Sequence, residues 1–167
     1  MLLSMKPLLF ALTTATCAAA VPATIPITDP IHGTVPQRPY CPPQPVSAEF
    51  QRAAFYEIVN EFYVEQLFNQ TFNDFVSDEY IQHNPFTLGG RNNGIISVNN
   101  LFHNASFTIL HVIFDSPFGV IHYRWDQPGQ APTAITDIWR FNGSCVEEHW
   151  DVIQALPANA TNPLALF

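Results

Sequence analysis

The period of apolar and polar positions along the chain changes once, from about four to two, near Asn104. In AEFQRAAFYEIVNEFYVEQLF, Phe55, Ile58, Val59 and Phe62 follow the i, i+3, i+4, i+7 spacing of one helix face, and Gln51 and Glu65 point away. Ser47 is a suitable N-cap and Glu49 falls in the first turn, so a helix is expected over 48–68. The stretch TFNDFVSDEYI, 71–81, reads as one or two short helices with Ser77 capping between them. It ends at Gln82-His83-Asn84-Pro85, because a residue before proline avoids the α region. After a Gly89-Gly90 loop, a third helix is expected over 93–103. Beyond it, SFTILHVIFD (106–115) and FGVIHYRWD (118–126) are β-branched and aromatic, joined by a Ser116-Pro117 turn. Two more alternating runs, Thr133 to Gln154, meet at Asn142-Gly143, a strong hairpin signal because a type I′ turn needs positive φ at both central residues. Helices followed by four strands in an antiparallel meander predict an α+β layer architecture.

The last hairpin carries the most chemistry. With Asn142-Gly143 as a two-residue loop, Trp139 faces Val146, Asp137 faces Glu148 and Ile135 faces Trp150. One face then holds Ile135, Asp137, Trp139, Phe141, Val146, Glu148, Trp150 and Val152. The other holds Thr136, Ile138, Arg140, Cys145, Glu147, His149 and Asp151. The first is a hydrophobic wall with two acids in it, and an acid there is costly unless partnered or protonated.

Composition changes the picture at both ends. Lys6, the apolar run Leu8–Leu12 and the small-residue stretch ending Ala18-Ala19-Ala20 read as a secretory signal peptide over 1–20. Residues 21–46 hold eight prolines and read as an extended arm, leaving 47–167 as one domain. Export is expected, with no membrane association after cleavage. Cys17 leaves with the signal, so Cys41 and Cys145 are expected to form one disulfide, with two free thiols as the alternative. Asn69, Asn104, Asn142 and Asn159 each head an N-x-S/T sequon and are candidate glycosylation sites. The net charge of −8, with six basic residues and no basic cluster, disfavours nucleic-acid and anionic-membrane partners.

Taken together, YIQHNP (80–85), HYRW (122–125), DIWRFNGSCVEEHWDVIQ (137–154) and NPLALF (162–167) resemble the SnoaL-like family within the NTF2-like fold. The nearest branch is the one described as aldol-condensation-catalysing. The resemblance covers residues 50 to 167. It implies a cone of helices packed on a curved antiparallel sheet, with a pocket inside. Family members include polyketide cyclases that use an aspartate on the strand before the final turn as general base, and Asp137 matches that position. The fold also hosts dehydratases, isomerases and proteins that only bind.

On this reading Asp137 is the leading catalytic candidate, desolvated among Ile135, Trp139 and Trp150, with Glu148 opposite. The structural alternative is an ion pair of Asp137 with Arg124 or Arg140. His83 lies on a loop, where the family pattern also places a histidine; otherwise it caps a helix C-terminus. His122 and Arg124 share a strand face and would polarise a carbonyl if that face is concave. His149 and Asp151 read as surface. Their H-x-D spacing also suits two ligands of a non-haem iron triad completed by His83, His111 or His122, but no second ligand spacing supports it. His111 reads as a core residue. The expectation is therefore a secreted enzyme without cofactor or metal, acting on a hydrophobic carbonyl compound such as a polyketide or terpenoid. Asp137, His83, His122 and Arg124 would be catalytic, and Trp139, Trp150, Glu148 and Ile135 would line the pocket. A binding module or homodimerisation unit of the same fold is the alternative.

Overall fold

In the computed structural model, which describes residues 36–167, Ser47 caps the first helix as its residue type predicts, its hydroxyl accepting the Phe50 amide at 3.1 Å. The expected signal peptide and the arm up to residue 35 lie outside the described residues. Helix α1 (Ala48–Ile58) runs into a π-helical turn (Val59–Val64). The expected single helix over 48–68 thus widens before it ends, and the chain leaves it at Gln66 with φ 57°. Wider π turns let neighbouring residues face inward together. Here Phe62 and Tyr63 are both buried. Gln51, expected to point outward, is also buried: its amide donates to the Gly143 carbonyl at 2.8 Å and its oxygen accepts from the Ser116 hydroxyl at 2.6 Å.

Residues 71–81 do not form consecutive helices. Helix α2 (Phe68–Phe75) gives way to strand β1 (Val76–Gln82). Tertiary pairing overrides local propensity here: β1 lies parallel to the last strand, Val76 opposite Val146 and Gln82 opposite His149, with an irregularity between. The Ser77 hydroxyl accepts the Glu79 amide inside that irregularity instead of capping a helix. Helix α3 spans Arg91–Leu101. Strands β2 (Ser106–Asp115), β3 (Phe118–Asp126), β4 (Thr133–Asn142) and β5 (Cys145–Ala155) form the expected meander. The sheet order is β1-β5-β4-β3-β2, so five strands rather than four carry the helices. Between helices and sheet lies an aromatic core that includes Phe50, Phe55, Phe62, Phe72, Tyr123 and Trp139.

The register of the last hairpin differs from the expected one. The two loop residues are Gly143 and Ser144; only Gly143 takes positive φ, 55°, as in turns with glycine in the first central position. Phe141 faces Val146, but Arg140 faces Glu148, so Glu147 is an extra residue, a β-bulge. Beyond it every β5 side chain exchanges faces. Trp139 pairs with His149 and Asp137 with Asp151; Glu148, Trp150 and Val152 go to the outer face.

Residues 36–46, read from sequence as arm, are docked onto this hairpin. Tyr40 is 4% exposed and its amide donates to the Asp74 carbonyl at 2.7 Å. The Ser144 amide donates to the Gln44 carbonyl at 2.9 Å. Cys41 and Cys145 form the expected disulfide, with Cα atoms 5.1 Å apart. It closes a loop of 104 positions in sequence, for which unfolded-chain entropy suggests roughly 4–5 kcal/mol. Replacing both cysteines by serine should lower the unfolding free energy by about 2–5 kcal/mol in urea titrations.

Candidate active site

The bulge at Glu147 turns His149 and Asp151 inward beside Asp137, between the sheet and helix α3. The Asp137 and His149 side chains are 7% and 8% exposed, with Asp137 Oδ1 3.5 Å from His149 Nε2. Neither expected arginine reaches Asp137: Arg140 pairs with Glu148 at 2.6 Å and Arg124 with Asp126 at 2.7 Å. Instead the Tyr63 hydroxyl, delivered by the π turn, donates to Asp137 Oδ2 at 2.6 Å and accepts from Trp139 Nε1 at 3.0 Å.

His149 is held in one tautomer. Its Nδ1 lies 3.1 Å from Gln82 Oε1, and that oxygen also accepts the Asn84 amide at 2.9 Å. A backbone N–H can only donate, so Gln82 presents oxygen and His149 Nδ1 carries the hydrogen. In the neutral ring Nε2 is then an acceptor, and it is buried with no hydrogen-bond partner. Asn84 Nδ2 donates to Asp151 Oδ2 at 2.7 Å. One short segment, Gln82 to Asn84, thus orients both His149 and Asp151.

Three tyrosines surround the carboxylate. Tyr63, Tyr80 and Tyr123 are all raised well above the usual phenol range, first by burial and then by the Asp137 charge. Asp137 raises Tyr123 both by its charge and as a nearby acceptor, but the hydroxyl makes no hydrogen bond of good geometry. All three therefore stay protonated as donors.

The inner cavity measures about 40 Å³ and is bounded by Asp137, His149, Asp151, Tyr123, Trp139 and Ile135, with Phe62, Phe72 and Phe102 among its apolar walls. Small-molecule sites run to roughly 300–1,000 Å³, so the cavity takes little more than one or two waters. Outside it lies a groove of about 470 Å³ bearing Phe86, Leu88, Ile96 and Leu101. Thr87, Ser97 and Leu101 border both spaces. The Thr87 and Ser97 hydroxyls, 2.6 Å apart, link the 83–90 loop to α3 at this boundary.

Of the residues expected at the site, Asp137, Trp139 and Ile135 converge there. His83, Glu148 and Trp150 form a separate cluster on the outer sheet face. His83 Nε2 lies 2.8 Å from Glu148 Oε1 and its ring stacks on Trp150 at 4.8 Å. Hydrogen bonds from His83 and Arg140 hold Glu148 below the usual carboxylate range despite some opposing burial. His122 also faces outward, its Nδ1 3.2 Å from that of His111, which is exposed rather than core. Arg124 lies against Asp126 and the Phe167 ring. Sequence reasoning missed His149 and Asp151 as pocket residues, along with Tyr63, Tyr123, Gln82 and Asn84. One signal was present: strict alternation buried two facing acids, Asp137 and Glu148, a cost that a bulge removes by exchanging Glu148 for His149.

The architecture is that of NTF2-like proteins. Similar solved structures include an NTF2-like protein of unknown function from Burkholderia xenovorans LB400, with TM-score 0.55, 16% identity, and 66% of this chain and 91% of that one covered. A proposed SnoaL-like polyketide cyclase from Jannaschia sp. CCS1 gives TM-score 0.50 at 14% identity, over 60% and 85% of the two chains. AclR, a proposed hydroxylase from Streptomyces galilaeus, gives 0.51 at 13% identity, over 65% and 91%. At these identities the likeness defines the fold alone. No protein-family model matches the chain, and no curated protein sequence matches it significantly.

Tyr63→Phe leaves Asp137 Oδ2 and Trp139 Nε1 without their shared partner, and should cost about 1–3 kcal/mol in denaturant unfolding. The raised tyrosines also predict alkaline lability. Their folded values exceed the unfolded value of about 10, so stability is full below that pH and falls above it. Near-ultraviolet phenolate absorbance and circular dichroism, followed with rising pH, should show these tyrosines ionising together with loss of structure.

Proposed function

We propose that this protein is a secreted acid/base enzyme that moves a proton next to the carbonyl of a hydrophobic small molecule, giving cyclisation, isomerisation or dehydration. The observation that carries the reading is the buried His149 Nε2, oriented by Gln82 and left without a partner 3.5 Å from Asp137. On this reading His149, rather than Asp137, is the base. Nε2 takes the α proton, and the Asp137 carboxylate stabilises the imidazolium that forms. The electron pair moves onto the carbonyl oxygen. Tyr123, protonated and unpartnered at the cavity wall, is the donor for that oxygen, in place of the roles expected for His83, His122 and Arg124. The enolate then attacks a second carbonyl, whose oxygen takes the proton from His149, or is reprotonated elsewhere by His149, or expels a β-hydroxyl that leaves as water with that proton.

A polyketide- or terpenoid-sized substrate requires the Thr87–Ser97 contact to part, with its apolar body in the groove of Phe86, Leu88 and Ile96. Similarity of fold to proposed polyketide cyclases supports the substrate class. Secretion is supported by the sequence of residues 1–20, by the disulfide, and by the exposure of all four sequon asparagines, Asn69, Asn104, Asn142 and Asn159. A second reading, self-association, is favoured by exposed Ile113, Phe118 and Val152 on the outer sheet face.

Hydrogen–deuterium exchange α to the carbonyl of acetylacetone and cyclohexenone, followed by NMR in D₂O, tests the chemistry. His149→Gln should slow enzyme-dependent exchange by about 10²-fold or more. Asp137→Asn should slow it while ligand-induced chemical shifts persist. Exchange unaffected by both substitutions would remove this reading.

A further inference from the structure

The inner site has a second capacity that proton transfer does not use. Asp137, His149 and Asp151 each offer one ligand atom, and these atoms all lie within 4.8 Å of one another. A cluster of acids alone would mean little, but here the imidazole settles the direction of the site. In the neutral ring His149 Nε2 is a lone-pair acceptor 3.5 Å from a carboxylate oxygen, in a side chain only 8% exposed. Two acceptors facing each other in a buried space repel unless something positive lies between them. A proton is one answer. A metal cation is the other.

We infer that Asp137, His149 and Asp151 bind one divalent transition ion of the Zn²⁺ class, and that the ion, by occupying His149 Nε2, switches the proton-transfer site off. Three features support binding. First, the donors are one imidazole and two carboxylates, a set that suits Zn²⁺, Co²⁺ or Mn²⁺ better than Mg²⁺ or Ca²⁺, which prefer oxygen alone. Second, each ligand is held from behind by one hydrogen bond: Tyr63 on Asp137, Gln82 on His149 and Asn84 on Asp151. In protein metal sites such outer partners fix ring tautomer and carboxylate direction, and Gln82 leaves free the nitrogen a metal would take. Third, the distance fits. Metal–ligand bonds of about 2.0–2.2 Å put neighbouring ligand atoms roughly 3.3–3.5 Å apart in tetrahedral geometry, which the Asp137–His149 pair already meets at 3.5 Å. Asp151 is half-buried, and a small side-chain movement would close the remaining distance. The cavity of about 40 Å³ accommodates an ion with one water.

Binding itself does not depend on the proton-transfer reading; the inhibitory consequence rests on it. The rival metal site is the exposed His111–His122 pair on the outer face, with Nδ1 atoms 3.2 Å apart. The full mature protein, stripped with EDTA, is titrated with Zn²⁺ by calorimetry and with Co²⁺ by visible absorption. One ion per chain is expected, with intense Co²⁺ bands from a site of low coordination number. His149→Gln and Asp151→Asn should each weaken binding by at least about tenfold. The double variant His111→Ala/His122→Ala should bind like the parent. Asp151 is half-buried, so its variant keeps the test valid if His149→Gln does not fold, as judged by circular dichroism. In α-exchange assays Zn²⁺ should inhibit with a midpoint equal to its binding constant. Absence of saturable binding up to about 1 mM, or binding that survives Asp151→Asn and disappears with the His111/His122 variant, overturns the inference. Binding at the inner site with no exchange activity at any ion level refutes the proton-transfer reading and the switch built on it, and leaves the metal site standing.

Discussion

A carboxylate buried beneath Trp139 and Ile135 loses its water, and the loss is costly unless hydrogen bonds or a counter-charge replace it. Asp137 has no arginine or lysine beside it among the described residues. Its compensation comes from the Tyr63 hydroxyl at 2.6 Å, and His149 Nε2 stands 3.5 Å away as the site of a proton or cation that would complete it. Both depend on departures from regular structure. Tyr63 reaches the carboxylate because α1 widens into a π turn, and His149 because β5 carries an extra residue. Irregularities of this kind disturb regular hydrogen bonding locally and recur near functional sites.

The bulge also separates two chemistries that a regular hairpin would mix. Inside are Asp137, His149 and Asp151, surrounded by protonated tyrosines. Outside are Glu148, Arg140, His83 and Trp150, joined by ion pairs of 2.6 and 2.8 Å and a stacked ring. The outer group reads as a satisfied structural cluster at the sheet surface, since each charged member has its counterpart. The inner group retains an unpartnered nitrogen and an unpartnered hydroxyl. In a buried space such atoms are uncommon and call for an explanation. The docked arm contributes at a distance: Tyr40, Gln44 and the disulfide pin the hairpin tip from which the bulge is measured.

Much of the fold was legible from period and punctuation. Helix α1 with its Ser47 cap, helix α3, the four-strand meander and the Cys41–Cys145 bridge follow from spacing, residue type and cysteine count. The fifth strand was not. VSDEYIQ carries a serine cap signal and acids that suit a helix, and only the open edge of β5 makes it a strand. Of the cavity lining, Asp137, Trp139 and Ile135 were legible, because β4 is regular and alternation holds along it. His83, His122, Arg124, Glu148 and Trp150 were placed wrongly relative to the pocket, because their faces depend on register or on a bulge, which alternation alone cannot assign.

The sequence by itself determined the order of elements, which residues alternate along each strand, and that Asp137 would sit in an apolar wall. Those properties are local, set by the period of side chains and the conformations that serine caps, proline and glycine allow. Tertiary structure decided which residues meet that acid. A single extra residue at Glu147 exchanges two faces of β5, and its position depends on how the hairpin tip packs beneath Tyr40 and Gln44. Contacts between residues as far apart as Tyr63 and Asp137 then follow from the packing of helices on the sheet, which no local pattern encodes.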